Sequence, residues 1–174
     1  MSLLLFLWAL VGTDAIYANN VHALVPHIDR SVVDDHVRAA RLAATEHGFD
    51  VELLLAVAYV ESRFEGNAIG RMEDGRRRGG AWIHEHAPGT GPRFCGVMQV
   101  GTRHDWKACA ALRDLTAGYA AGARLLKDWL KLSRGDVSDA LNGYGCGMWG
   151  LKNGCKRYAN RVLAYRRHIA RTSS

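Results

Sequence analysis

Proline is scarce in this chain, 3 in 174 residues, and no internal repeat or extended low-complexity tract interrupts it. These absences argue against a disordered tail or a repeat array. No Cys-x-x-Cys pair occurs among the 4 cysteines, and their spacings are irregular, which counts against structural zinc. Strand signals are few, so the fold class is all-α, or α with a small β-hairpin within residues 71–94. What the chain does have is a hydrophobic content of 48%, enough for the core of one globular domain.

The amino terminus supplies an apolar stretch, Leu3 to Val11, of the length of a signal-peptide core. Thr13-Asp14-Ala15 and Ile16-Tyr17-Ala18 are the candidate cleavage sites. Residues 1–18 therefore read as a signal peptide and 19–174 as a single domain, although no Lys or Arg precedes the apolar run. A buried amino-terminal helix is the alternative. An even number of cysteines fits disulfides in an oxidising compartment. Of the three possible pairings, Cys95–Cys109 and Cys146–Cys155 are favoured because each closes a short local loop. The expected location is the periplasm or the medium.

The net charge is +6, which suits an anionic polymer such as a bacterial cell wall. Nucleic acid is not expected: the basic residues are dispersed, apart from Arg76-Arg77-Arg78 and Arg166-Arg167, and no groove-reading motif is present. His84-Glu85-His86 invites a metal reading, but these side chains do not converge without help, so no metal is expected.

Periodicity places the helices. Residues 19–30 read as an irregular lead-in, with Pro26 as a breaker. Ser31-Val32-Val33-Asp34 resembles a capping box, and Val33, Val37, Ala40 and Ala44 then recur at helical spacing up to His47-Gly48. Residues 71–93 form a basic, glycine-rich insertion with Trp82 and Ile83 as apolar islands. A helix opens at Asp114 or Thr116 and carries Tyr119, Ala123, Leu126 and Leu130 on one face. Another opens at Asp136 or Ser138 and is short, giving way to a glycine-rich loop over 143–154. The last runs from about Lys156 to Ala170, with Ala159, Val162, Leu163 and Ile169 facing inward.

The stretch Leu53-Leu54-Leu55-Ala56-Val57-Ala58-Tyr59-Val60 organises the chain. It is too short to span a bilayer and reads as a helix buried on most sides, with Asp50 as its cap. It stops on Glu61-Ser62-Arg63-Phe64. At the carboxyl end of a buried helix, the macrodipole and apolar neighbours both disfavour a charged carboxylate. Glu61 is thereby pushed towards the protonated state that a general acid needs. Taken alone, a glutamate at a helix end is most often a solvated residue.

Other segments change that balance. Glu61-Ser62-Arg63-Phe64, followed by Asn67-Ala68, resembles the catalytic segment of the soluble lytic transglycosylases. Gly96-Val97-Met98-Gln99 resembles their Gly-Leu-Met-Gln segment. Ala140-Leu141-Asn142-Gly143-Tyr144-Gly145-Cys146-Gly147 is similar to their Ala-Leu-Ala-Ala-Tyr-Asn-Ala-Gly segment. Tyr158-Ala159-Asn160-Arg161-Val162 resembles their closing helix. Four weak motifs in the right order and spacing, over about residues 31–168, make a specific match.

The resemblance implies a lysozyme-like α-helical fold whose cleft holds peptidoglycan glycan strands. It implies cleavage of the β-1,4 bond between N-acetylmuramic acid and N-acetylglucosamine, with formation of a 1,6-anhydro ring and no cofactor. Glu61 would be acid and then base, and Ser62 would hold substrate or fix the carboxyl. Gln99 would bond sugar substituents, Tyr144 would lie beside the scissile bond, and Tyr158 would bond Glu61. Met98 reads as core. A monomer is expected, serving phage, secretion or conjugation machinery at a membrane, or wall turnover. Gly145 departs from the family's asparagine, so one backbone-fixing amide is missing, and a Cys146–Cys155 link would supply that rigidity instead. Glu73, Asp74, Glu85 and Asp105 are the candidates for the second carboxylate that a hydrolytic, goose-type lysozyme would need. A non-catalytic cell-wall or nucleic-acid binding module is the remaining alternative.

Overall fold

A computed structural model describes residues 3–70, 77–78, 81–82, 94–102, 105–153 and 155–171. Among these residues there are seven helices: α1 (Leu3–Leu24), α2 (Arg30–His47), α3 (Val51–Ser62), α4 (Trp106–Ala111), α5 (Leu115–Leu132), α6 (Val137–Asn153) and α7 (Lys156–Ile169). Helix α3 packs on α2 and α7, α2 packs on α5, α5 on α6 and α6 on α7, so the five close into a ring. The apolar run explains why: Leu54, Leu55, Ala56, Val57 and Ala58 are wholly buried. Each such leucine or valine contributes roughly 1.5–3 kcal/mol of hydrophobic stabilisation.

The all-α expectation holds, with short strands added. β2 (Arg77–Arg78) and β3 (Ala81–Trp82) form the anticipated hairpin inside the insertion. A three-stranded antiparallel sheet, β1 (Ile69–Gly70), β4 (Phe94–Cys95) and β5 (Val100–Gly101), was not anticipated; it pairs Ile69 with Cys95 and Cys95 with Val100. Ile83, His84-Glu85-His86 and the acids Glu73, Asp74 and Glu85 lie outside the described residues. Both disulfides pair as favoured, Cys95–Cys109 and Cys146–Cys155, with Cα separations of 5.3 and 6.3 Å.

Several local expectations are corrected. Residues 19–24 continue α1 rather than forming an irregular lead-in, because Ala18, Val21 and Val25 are buried in the core, where α1 lies against α2 and α7. Helix α2 begins at Arg30 behind Asp29, not in a Ser31 capping box, and neither Asp29 nor Asp50 caps its helix through its side chain. Asp50 pairs with Arg166 instead. The glycine-rich segment after Gly143 is no loop: α6 continues to Asn153 across a kink at Gly147. Helix α4 was not foreseen, and Asp105 is its cap, accepting from the amides of Lys107 and Ala108 at 2.8 and 3.2 Å. No described helix is long and apolar enough to cross a membrane.

Candidate active site

Glu61 stands in the last turn of α3, half-buried. Its Oε1 accepts a hydrogen bond from the Tyr158 hydroxyl on α7. Burial pushes its pKa up to about 7, against the lowering effects of the Tyr158 bond and the Arg161 charge. Tyr158 and Arg161 are three residues apart on α7, so one face of that helix addresses the carboxyl. Burial and the nearby Glu61 raise the phenols of Tyr158 and Tyr144 well above the ordinary tyrosine range, so both hydroxyls keep their protons. A neutral carboxylic acid beside hydroxyl donors is thereby available near neutral pH.

The four sequence segments are bonded to one another. Ser62 Oγ lies 2.8 Å from the Val97 carbonyl and 3.1 Å from that of Ala58. Tyr144 donates to the Met98 carbonyl at 2.6 Å. Gln99 Nε2 lies 3.1 and 2.9 Å from the carbonyls of Ala68 and Gly96. The residues 96–99 thus form a turn that ties the end of α3 to α6. Gly96 has φ +74, and an added Cβ would come 2.1 Å from the Leu112 carbonyl oxygen, so only glycine fits there.

Three non-glycine residues at this junction, Arg63, Phe64 and Gln99, adopt left-handed backbone angles. Such conformations cost about 1–2 kcal/mol each and persist where surroundings enforce them. Part of that enforcement comes from His36, which is fully buried against Phe64 and Tyr119. Its Nδ1 lies 3.2 Å from the Tyr119 hydroxyl. Burial lowers its pKa to about 4, so it is a neutral core residue. Its signal in the sequence was position: it falls three residues after Val33, on the stripe that faces inward.

The structure therefore gathers Glu61, Tyr144, Tyr158 and Gln99 at one locus and gives Ser62 and Gln99 main-chain partners. Ser62 does not reach the Glu61 carboxyl; its hydroxyl is engaged by main-chain carbonyls. The Gln99 amide nitrogen likewise serves the backbone, which makes it a brace of the turn. Met98 is buried, as expected of a core residue. The Arg161 charge near Glu61 was missed, and Gly145, read only as the loss of an amide, has a packing role of its own. A Cβ at Gly145 would lie 2.4 Å from Cγ and Cδ2 of Tyr158, so the bare glycine is what lets the tyrosine ring rest on α6. Among the described residues no cluster of three His, Cys, Asp or Glu side chains is placed to hold a metal.

The candidate site thus holds a half-buried acid whose pKa is raised by burial and whose carboxyl accepts a hydrogen bond from Tyr158, at the end of a core helix on an all-α scaffold. Residues 38–162 match the family described as the Transglycosylase SLT domain, and the chain belongs to that family. The fold is accordingly the lysozyme-like one. Its members are lytic transglycosylases, enzymes that act on peptidoglycan outside the cytoplasm. No curated protein and no solved structure matches the chain.

Proposed function

We propose that this protein cleaves the β-1,4 bond between N-acetylmuramic acid and N-acetylglucosamine by an intramolecular route with Glu61 as the catalytic residue. The neutral carboxylic acid gives its proton to the glycosidic oxygen as the C1–O4 bond breaks. The acetamido oxygen of the same sugar shares the positive charge at C1. The Glu61 carboxylate then takes the proton of the 6-hydroxyl as O6 attacks C1, closing the 1,6-anhydro ring and restoring the acid. Water is not consumed. One group with a pKa near neutrality performs both transfers, because such an acid gives and regains a proton at comparable cost.

The observation that carries this reading is the Glu61 pKa of about 7 beside the Tyr158 hydroxyl. Export belongs to the same proposal, with residues 1–18 as leader. Cleavage after Ala18 would remove the Asp14–Arg41 and Tyr17–Glu52 contacts of α1 but leave Val21 and Val25 in place. Amino-terminal sequencing of the exported protein locates the cut.

The test is the mass of the products from purified peptidoglycan. Anhydro-muropeptides support the proposal; reducing ends make the protein a lysozyme with a second carboxylate. In the first case Glu73→Gln, Asp74→Asn, Glu85→Gln and Asp105→Asn each leave turnover within a few-fold of wild type. In the second, one of them fails as Glu61→Gln does, since carboxylates acting as a unit fail together.

A further inference from the structure

The carboxyl half of α7 and the end of α1 enclose a groove of about 450 Å³, lined by Leu24, Arg161, Tyr165, Arg167, His168 and Arg171. Three guanidinium groups and an imidazole share it, and none of its lining residues is acidic. The next arginine of the helix, Arg166, is neutralised by Asp50, with Glu52 also 3.9 Å away. Among the described residues no carboxylate lies within ion-pair distance of Arg161, Arg167 or Arg171. Cations in a last helical turn serve the helix dipole in any protein. That accounts for Arg167 and His168, but Arg161 lies mid-helix and Arg171 beyond the helix end, and the concave shape needs α1 as a wall.

The groove adjoins the candidate active site along α7, where Arg161 lies one turn past the Tyr158 that bonds Glu61. Arg161 lines it and also draws on the Glu61 carboxyl. Tyr165 lines it as well, and its ring packs edge-on against Tyr59, two residues before Glu61, with 4.4 Å between centroids. From Arg161 to Ile169, its last residue, the helix advances about 12 Å, and Arg171 lies just beyond. We infer that this groove is a subsite for the carboxylates of the peptide stem carried by the glycan strand that Glu61 cuts. The inference rests on the proposed function, which brings that strand to Arg161. A peptide stem presents carboxylates at the end of a short, extended chain, which matches a line of guanidinium groups leading away from the bond to be cut.

The test compares uncrosslinked glycan strands bearing their stems with the same strands stripped by an amidase. The enzymes are wild type and the Arg167→Gln/Arg171→Gln double variant, both sites being exposed. Wild type is expected to favour stem-bearing strands in kcat/KM by about ten-fold at low salt, an advantage that fades as salt rises. In the double variant the advantage falls to within about two-fold, through KM rather than kcat, while stripped strands are cut as by wild type. Equal losses on both substrates, or a retained advantage, overturn the inference while leaving the proposed function standing. If the wild type cuts neither substrate, the proposed function falls and the subsite with it. Duplex DNA is the control polyanion: if it competes through Arg167 and Arg171 while stem preference stays unchanged, the groove serves phosphates and the inference is wrong.

Discussion

Helix α3 carries a glutamate at each end, and each accepts a hydrogen bond from a tyrosine. Glu52 takes one from Tyr17 at 3.2 Å, and Glu61 takes one from Tyr158. Their electrostatic settings are opposite. Glu52 is in the first turn, where the positive end of the helix dipole stabilises charge, and Arg166 lies 3.9 Å from it. Glu61 is in the last turn, where the dipole opposes charge, and Arg161 attracts it without closing an ion pair. On the proposed function, the same side chain with the same kind of donor is an anchor at one end and the proton carrier at the other. At Glu61 burial outweighs the lowering effects of the Tyr158 bond and the Arg161 charge, so the hydrogen bond is not what raises its pKa.

The sharpest break of this comparison is Glu61→Gln. Gln keeps the volume and the Tyr158 bond but can carry no proton, so turnover of peptidoglycan is expected to fall by at least about 10³-fold. Stability should move the other way. Below about pH 4.5 the folded and unfolded chains both hold the Glu61 proton. Between there and about pH 7 only the unfolded chain gives it up, so the fold loses stability, and above about pH 7 the loss is complete. The Gln variant escapes that loss: it should match wild type near pH 4 and exceed it at pH 8 by roughly 3 kcal/mol at most. Urea titrations at the two pH values measure this. A variant no more stable at pH 8 than wild type would mean that Glu61 is an ordinary ionised carboxylate.

A smaller effect is expected from the floor beneath Tyr158. In Gly145→Ala the new methyl group must displace the tyrosine ring, and kcat/KM should fall about 10–100-fold, the scale of an ångström's misplacement. Tyr158→Phe should cost about ten-fold. It should also move the alkaline limb of the pH profile upward, because the Tyr158 bond is one of the influences holding the Glu61 pKa down. If Gly145 acts only through that ring, Gly145→Ala made in a Tyr158→Leu background should cost little further. Additive losses would show that Gly145 matters for another reason.

These residues also mark how far the sequence could be read. The apolar run ending on Glu61 was legible because burial and helix position are both written in a single stretch. The disulfide partners were legible because short loops limit the pairings. The three-stranded sheet was not, since strands of two residues have no period and Ile69 meets Cys95 across the whole insertion. Helix α6 was cut short because its glycines read as loop formers; at Gly145 the glycine instead makes room for a ring inside a helix. The main-chain partners of Ser62 and Gln99 were not legible, because a polar side chain does not reveal which nearby carbonyl it will bond. Arg161 lay one turn past Tyr158 in a quoted motif, and only its place on the helix face gave it away.

The smallest expected effect lies at the other end of α3. Glu52→Gln removes a charge from a site where the helix dipole and Arg166 both favour it, so stability should drop by about 1 kcal/mol. Activity should stay within about two-fold, because nothing at this end touches the Glu61 carboxyl. Tyr17→Phe removes the other partner and should lower the melting temperature of the full-length chain by about 1–3 °C. That substitution also reads the state of the leader. Tyr17 belongs to residues 1–18, so in a protein cut after Ala18 it is gone, and Tyr17→Phe cannot alter the exported enzyme. The measurement is a pair of melting curves, wild type against Tyr17→Phe, for the full-length chain and for the exported enzyme. A shift in the first and none in the second means that the leader leaves and that Glu52 gives up its tyrosine. Equal shifts in both mean that α1 stays on the folded enzyme, and that the two glutamates of α3 remain a matched pair in everything but charge.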